Sequence, residues 1–101
     1  MPWIDVADRA VLARRHWLEA EAGTAAILLF DLSGEVYATA AICPHHAAWL
    51  SQGSVTGDCV DCPRHMGQFH IPTGEQRCGP ACGPLRTYLT RIAGDRVLVE
   101  V

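Results

Sequence analysis

The chain has 101 residues, half of them apolar, which is room for one domain with one modest core and none for a second, catalytic domain. Eight basic against eleven acidic residues give a formal charge of −3 without a clustered basic run, which argues against a nucleic-acid binder. The longest apolar stretch, residues 25–30, falls far short of the roughly 20 residues that cross a bilayer, so no membrane span is expected.

Taken in chain order, Met1-Pro2-Trp3-Ile4-Asp5 lacks the basic start and apolar stretch of a secretory signal, which makes the cytoplasm the expected location. Residues 5–13 read as a loop or a short helix, with Asp8 placed to cap Val11 and Leu12. Residues 14–41 alternate short β-forming runs with turn signals, the pattern of an antiparallel meander with hairpin turns at Gly23 and Gly34. Between Cys43 and Pro84 glycine and proline accumulate and interrupt any period, so this stretch reads as built from loops. Residues 85–92 and 97–101 return to strand patterning around an Ala93-Gly94-Asp95 turn. Trp3, Trp17, Val36, Tyr37, Tyr88 and Val99 are expected in the core or half-buried on a sheet, and Asp31, Glu35, Asp58, Asp61 and Glu75 on a solvated face. There is no repeat, linker or low-complexity segment, and nothing in the composition demands more than a monomer.

Five cysteines, Cys43, Cys59, Cys62, Cys78 and Cys82, are an odd number in a chain without an export signal, so metal binding is a better reading than a disulfide framework. Two of them stand close to histidines: Cys43-Pro44-His45 and, after sixteen intervening residues, Cys62-Pro63-Arg64-His65. Each half offers one thiolate and one imidazole. Two such loops folded together present two sulfur and two nitrogen ligands, compatible with a tetrahedral zinc or with a [2Fe–2S] centre that has two Cys on one iron and two His on the other. Zinc fingers usually pair like with like along the chain, whereas here each pair is mixed, as is required when each loop gives one ligand to each iron. His46 could replace His45 by spacing alone, while His16 and His70 read as ordinary polar positions.

These residues resemble the Rieske family, in particular the small Rieske ferredoxins of bacterial aromatic-ring oxygenase systems. The resemblance spans nearly the whole chain. It rests on Cys43-Pro44-His45-His46 followed by Leu50-Ser51-Gln52-Gly53, on Cys62-Pro63-Arg64-His65-Met66-Gly67-Gln68-Phe69, on Thr73-Gly74, and on Gly79-Pro80-Ala81 leading to Pro84-Leu85-Arg86-Thr87-Tyr88. It implies an all-β Rieske fold: an antiparallel β-sandwich or barrel base from residues 1–42 and 85–101, with a loop-rich cluster-binding subdomain, residues 43–84, inserted in one domain. It also implies one Rieske-type [2Fe–2S] cluster, with Cys43 and Cys62 on the buried iron, His45 and His65 on the outer iron, His46 flanking them, and the loop around Pro80 covering the cluster.

The chain departs from the high-potential respiratory members, which carry an extra disulfide-bonded cysteine in each ligand loop and a serine that donates to a bridging sulfide. Ala48, Arg64 and Gly67 stand in the corresponding region. With fewer hydroxyl donors the reduced cluster is less stabilised, and a potential near the low end of the Rieske range, about −150 mV, is expected. Backbone N–H groups of the two loops can donate to the sulfurs, with Gly53 and Gly67 allowing close approach. Cys59, Cys78 and Cys82 read as small, partly buried thiols, with a disulfide or secondary metal role for Cys78 and Cys82 the alternative. Arg64 is a solvated arginine or a contact for an acidic partner. Trp49 either packs beneath the ligand loops or stands exposed as a contact for a redox partner.

The resemblance implies a soluble one-electron carrier and not an enzyme, taking electrons from an NAD(P)H-dependent flavin reductase and passing them to a terminal aromatic-ring oxygenase. An oxygenase subunit would need a further iron site of two histidines and a carboxylate on a separate large domain. The alternatives are a Rieske subunit of another redox enzyme, such as a nitrite reductase or arsenite oxidase, against which the missing loop cysteines weigh, and a structural zinc module acting in protein interactions.

Overall fold

A computed structural model describes residues 2–44, 48–63, 67–78 and 83–101. The order is β1 (Trp3–Asp8), α1 (Arg9–Arg15), β2 (Trp17–Ala22), β3 (Ala25–Leu32), β4 (Glu35–Ala40), a 3-10 turn (Leu50–Gln52), β5 (Ser54–Thr56), β6 (Cys59–Asp61), β7 (Gln68–His70), β8 (Gln76–Cys78), β9 (Thr87–Tyr88), β10 (Thr90–Ala93) and β11 (Arg96–Glu100). They form three antiparallel sheets, ordered β1-β11-β10, β2-β3-β4-β9 and β5-β6-β7-β8.

Strand β3 organises the molecule. Its apolar run is longer than a strand with one wet face would carry, because both faces are covered. Ile27 and Leu29 turn to one side and join Ala7, Leu12, Ala38, Val97 and Val99 in a core shared with the first sheet. Leu28 and Phe30 turn to the other and join Ala41, Cys43, Leu50, Val60, Cys62, Phe69, Ile71 and Leu85 in a second core shared with the third sheet. The single core expected from chain length is therefore two, one on each face of the middle sheet. Trp17, opposite Phe30 in the β2/β3 register, stacks on it with ring centroids 6.2 Å apart.

The β3/β4 hairpin turns through Ser33 and Gly34, at φ 55° and 92°. Positive φ at both central residues suits the right-handed twist of the flanking strands, and glycine adopts it without a Cβ penalty. The Asp31 carboxylate accepts from the Gly34 N–H at 2.9 Å and from Arg9 Nη1 at 2.7 Å, tying α1 to this turn. Asp31 is thus an inward-facing ion-pair partner and not part of a solvated face. Burial pushes its carboxyl up, but the Arg9 and Gly34 hydrogen bonds and the charges of Arg9 and His16 outweigh that and hold it below its ordinary value.

Three further features differ from expectation. Residues 3–8 form an edge strand, because their partner β11 lies at the far end of the chain and a register shift between Asp5 and Ala7 disturbs the alternation that would announce a strand. Asp8 does cap α1, but it accepts from the N–H groups of Ala10 and Val11, one residue earlier than expected. Residues 85–92 are split: β9 pairs with β4 in the middle sheet, β10 pairs with β11 in the first, and the exposed Leu89 stands at the crossing.

The stretch from Cys43 to Pro84 contains a sheet of its own, built from strands of three residues, too short to show a period. Gly53 fixes how its parts meet. A Cβ placed there would lie 1.8 Å from the Asp61 carbonyl oxygen, so the chain leaving the 3-10 turn packs directly on β6, one residue before Cys62. Gly53→Ala is expected to destabilise the protein by about 3 kcal/mol or more, since the obstructing atom is backbone and cannot move aside. Thermal unfolding followed by circular dichroism checks this, and an unchanged midpoint would contradict it.

Candidate metal centre

Cys43 and Cys62 begin two loops closed in the same way. The Cys43 N–H donates to the Ala48 carbonyl at 2.9 Å, and the Cys62 N–H donates to the Gly67 carbonyl at 2.8 Å. In each loop the cysteine is followed by an exposed proline, and its amide reaches five residues ahead. These two amides therefore close their loops instead of being turned to sulfur. Both cysteines are buried, at 2% and 5% exposure, in the same apolar cluster with Leu50, Val60 and Phe69.

The first loop is the tip of a two-stranded ribbon. Ile42 and Trp49 form a bridge flanked by the Cys43 to Ala48 bond and by the Leu50 N–H donating to the Ala41 carbonyl at 2.9 Å. Side chains along it alternate: Ala41, Cys43, Ala48 and Leu50 are buried, Ile42 and Trp49 are exposed. Trp49 therefore stands out from the surface and does not pack beneath the loops. The second loop joins β6 to β7, and its stem is braced by Asp61, whose carboxylate accepts from Gln68 Nε2 at 3.0 Å, Ser54 Oγ at 3.1 Å and Thr56 Oγ1 at 3.2 Å. Asp61 ties β5, β6 and β7 together at the residue before Cys62, a role that depends on strand pairing and that its sequence neighbours do not announce.

A second brace crosses the lower end of the same sheet. His70 lies opposite Cys59, with Nε2 2.8 Å from the Asp58 carboxylate and Nδ1 2.8 Å from Thr73 Oγ1. With the proton on Nε2 the chain of donors is complete: the Glu75 N–H donates to Thr73 Oγ1, the hydroxyl to Nδ1, and Nε2–H to Asp58. The His70 hydrogen bond holds the Asp58 carboxyl below its ordinary value, and burial, then the Asp58 charge, pushes the Cys59 thiol up. Cys78 is exposed and not partly buried as expected.

His45, His46, Arg64, His65, Pro80 and Cys82 lie outside the described residues. The structure thus brings the two thiols into one cluster, and among the described residues no group of three or more His, Cys, Asp and Glu side chains is placed to hold a metal ion. The described part suits a cluster-binding site: two thiols buried in apolar surroundings, each at the start of a closed loop and each followed by an exposed proline, Pro44 and Pro63.

Comparison with known proteins agrees with this arrangement. Residues 2–89 match the Rieske [2Fe-2S] domain. The ferredoxin component of biphenyl 2,3-dioxygenase from Rhodococcus jostii (strain RHA1) is 39% identical over 90 residues, 89% of this chain and 84% of that protein. The ferredoxin component of the naphthalene 1,2-dioxygenase system from Pseudomonas aeruginosa is 37% identical over 75 residues, 74% of this chain and 72% of that protein. Among solved structures, a chain in the complex of reduced oxygenase and oxidized ferredoxin in carbazole 1,9a-dioxygenase superposes with a TM-score of 0.86 at 28% identity, covering 96% of this chain and 91% of that one. The chain belongs to the Rieske [2Fe–2S] family. It carries a Rieske-type [2Fe–2S] cluster and is an electron-transfer component, not a catalytic subunit, which sets the zinc reading aside. Among the described residues no helix is long and apolar enough to cross a membrane.

The Asp58 and His70 brace gives a pH-dependent expectation. A carboxylate whose folded-state pKa is lowered contributes stability that is present above its unfolded value, about 3.9, and is lost as pH falls through the folded value. The difference in thermal midpoint between the protein and Asp58→Asn is therefore expected to be full above about pH 4 and to shrink below it. A difference that grew on acidification would contradict the assignment.

Proposed function

We propose that the chain is the ferredoxin of an aromatic-ring oxygenase system, taking single electrons from an NAD(P)H-dependent flavin reductase and delivering them to the terminal oxygenase in the cytoplasm. The observation that carries the proposal is the pair of buried cysteines, each at the head of a loop closed on the residue five positions ahead. In this reading Cys43 and Cys62 hold the inner iron, His45 and His65 hold the outer iron, and the cluster-binding subdomain is the segment 43–84 set on a base of residues 1–42 and 85–101. When bound, the cluster supplies a centre that accepts and returns one electron.

The chain's own residues do the rest. Leu50, Val60, Phe69 and Leu85 share one apolar cluster with the two cysteines, both of which are buried from water. Asp61 and Gly53 hold the second loop against the exit of the first, which limits movement of the two cysteines when the charge changes. A carrier benefits from that stiffness, because little has to rearrange on gaining or losing an electron. Near the cysteines the described residues place Ala48 and Gly67, neither of which can donate a side-chain hydroxyl to a sulfide, so a potential near the low end of the Rieske range, about −150 mV, follows. Such a poise suits a carrier between a flavoprotein and an oxygenase. The two relatives named above are ferredoxin components of aromatic dioxygenases, which supports a terminal oxygenase as the acceptor.

The test is direct. Purified protein is expected to contain two irons and two sulfides per chain, to show the visible spectrum of a Rieske centre, and to be reduced near about −150 mV by protein-film voltammetry. Cys43→Ser and His65→Cys are each expected to abolish or alter that spectrum, whereas His46→Ala retains it. Unchanged spectra in the first two would sink the ligand assignment, and loss in the third would move it by one residue.

A further inference from the structure

We infer that Ile42 and Trp49 form the apolar centre of the docking surface for the terminal oxygenase, with Glu19 and Glu21 as its acidic flank. The inference rests on the function proposed above and adds which residues of this chain recognise the partner.

Five large apolar side chains are exposed among the described residues, and two of them, Ile42 at 39% and Trp49 at 40%, face each other in one bridge. The flanking hydrogen bonds, Cys43 to Ala48 and Leu50 to Ala41, identify this as a non-hydrogen-bonded antiparallel pair. In that arrangement the two side chains lie side by side on the same face, with the backbones at their closest. Isolated exposed apolar residues are unremarkable, whereas a contiguous isoleucine and tryptophan make a patch. The position is specific as well. The pair flanks Cys43 and Ala48, the two residues whose hydrogen bond closes the first loop, and so lies next to a residue proposed above to hold the inner iron.

The surroundings define what fits there. Trp49 borders a groove of about 190 Å³ together with Glu19, Ala20, Glu21 and Ala26. Glu19 and Glu21 are exposed and alternate on the same face of β2, and Glu19 accepts a hydrogen bond from Ser51 just beyond the bridge. Arg15, the last residue of α1, lies beyond the other end of that strand in the adjoining groove, so among the described residues the charge beside Trp49 is negative, as is the chain as a whole. The complementary surface is a protein face with an apolar socket flanked by lysine or arginine. Tryptophan in such a setting is the residue type that most often dominates a protein interface, and the acidic rim sets encounter rate and salt dependence. The oxygenase is the occupant because a structurally similar ferredoxin is found in a complex with an oxygenase.

The experiment uses the cluster-loaded ferredoxin with the terminal oxygenase and the flavin reductase purified from the same cells. Trp49→Ala is expected to raise the ferredoxin concentration that half-saturates reduction of the oxygenase about tenfold or more. The visible spectrum, the reduction potential and the rate of reduction by the reductase stay as in the unaltered protein. Glu21→Lys, which leaves the Ser51 contact intact, is expected to weaken the same step, with the loss greater at low salt. Should Trp49→Ala fail to load its cluster, which the spectrum shows, Ile42→Ser and Glu21→Lys decide the matter. Unchanged half-saturation in the loaded variants, or an equal loss with the reductase, would overturn the inference while leaving the proposed function standing. Failure of the unaltered ferredoxin to reduce the oxygenase at all would overturn both.

Discussion

The covering of strand β3 on both faces is the constraint from which the rest of the architecture follows. A strand apolar on each side cannot remain at a surface, so one face requires the sheet β1-β11-β10 with α1, and the other requires the third sheet and the loops that carry Cys43 and Cys62. The hydrophobic core that fastens the third sheet to the base is therefore the same cluster that encloses the two thiols. Stability and cofactor environment share one set of side chains. Removing volume from Leu50, Val60 or Phe69 would affect both together.

Within that second core, polar interactions decide geometry where apolar packing cannot. Apolar contacts are non-directional and would tolerate several positions of the ligand loops. The bonds from the Cys43 and Cys62 amides, the three side chains converging on Asp61, and the contact of Gly53 with the Asp61 carbonyl remove that freedom. They act within a residue or two of the cysteines, where a small displacement matters most. Further from the site the braces are looser: the Arg96 and Asp5 pair and the Arg77 and Glu75 pair are exposed, and such pairs contribute little individually.

The same economy shows on the surface. The ribbon that places Ala41, Cys43, Ala48 and Leu50 inward must, by the period of a strand, place Ile42 and Trp49 outward. Their apolar character beside an acidic groove sets them apart from the other exposed apolar side chains, and they adjoin Cys43.

Much of this was legible in the sequence because the informative signals are local. The hairpins at Gly23 and Gly34 need only a turn residue between two β-forming runs, the cap at Asp8 needs only its neighbours, and the mixed spacing of Cys43, His45, Cys62 and His65 points to two paired loops and, by resemblance, to the family. What depended on distant partners was not legible. Residues 3–8 become a strand only because β11 is there to pair with them, residues 85–92 divide because two sheets compete for them, Asp31 and Asp61 look like solvated carboxylates until Arg9 and Gln68 are brought to them, and Asp58, exposed as expected, gains His70 as a partner. Whether Trp49 faced inward or outward was likewise open, since the register of a bridge with Ile42 settles it and a shift of one residue would reverse it. The sequence alone thus determined the chemistry this protein can hold, because ligand identity is a property of residues and their spacing; only the tertiary structure decided which carboxylates brace the two loops and which side chains beside them stand exposed, because those depend on contacts between segments far apart in the chain.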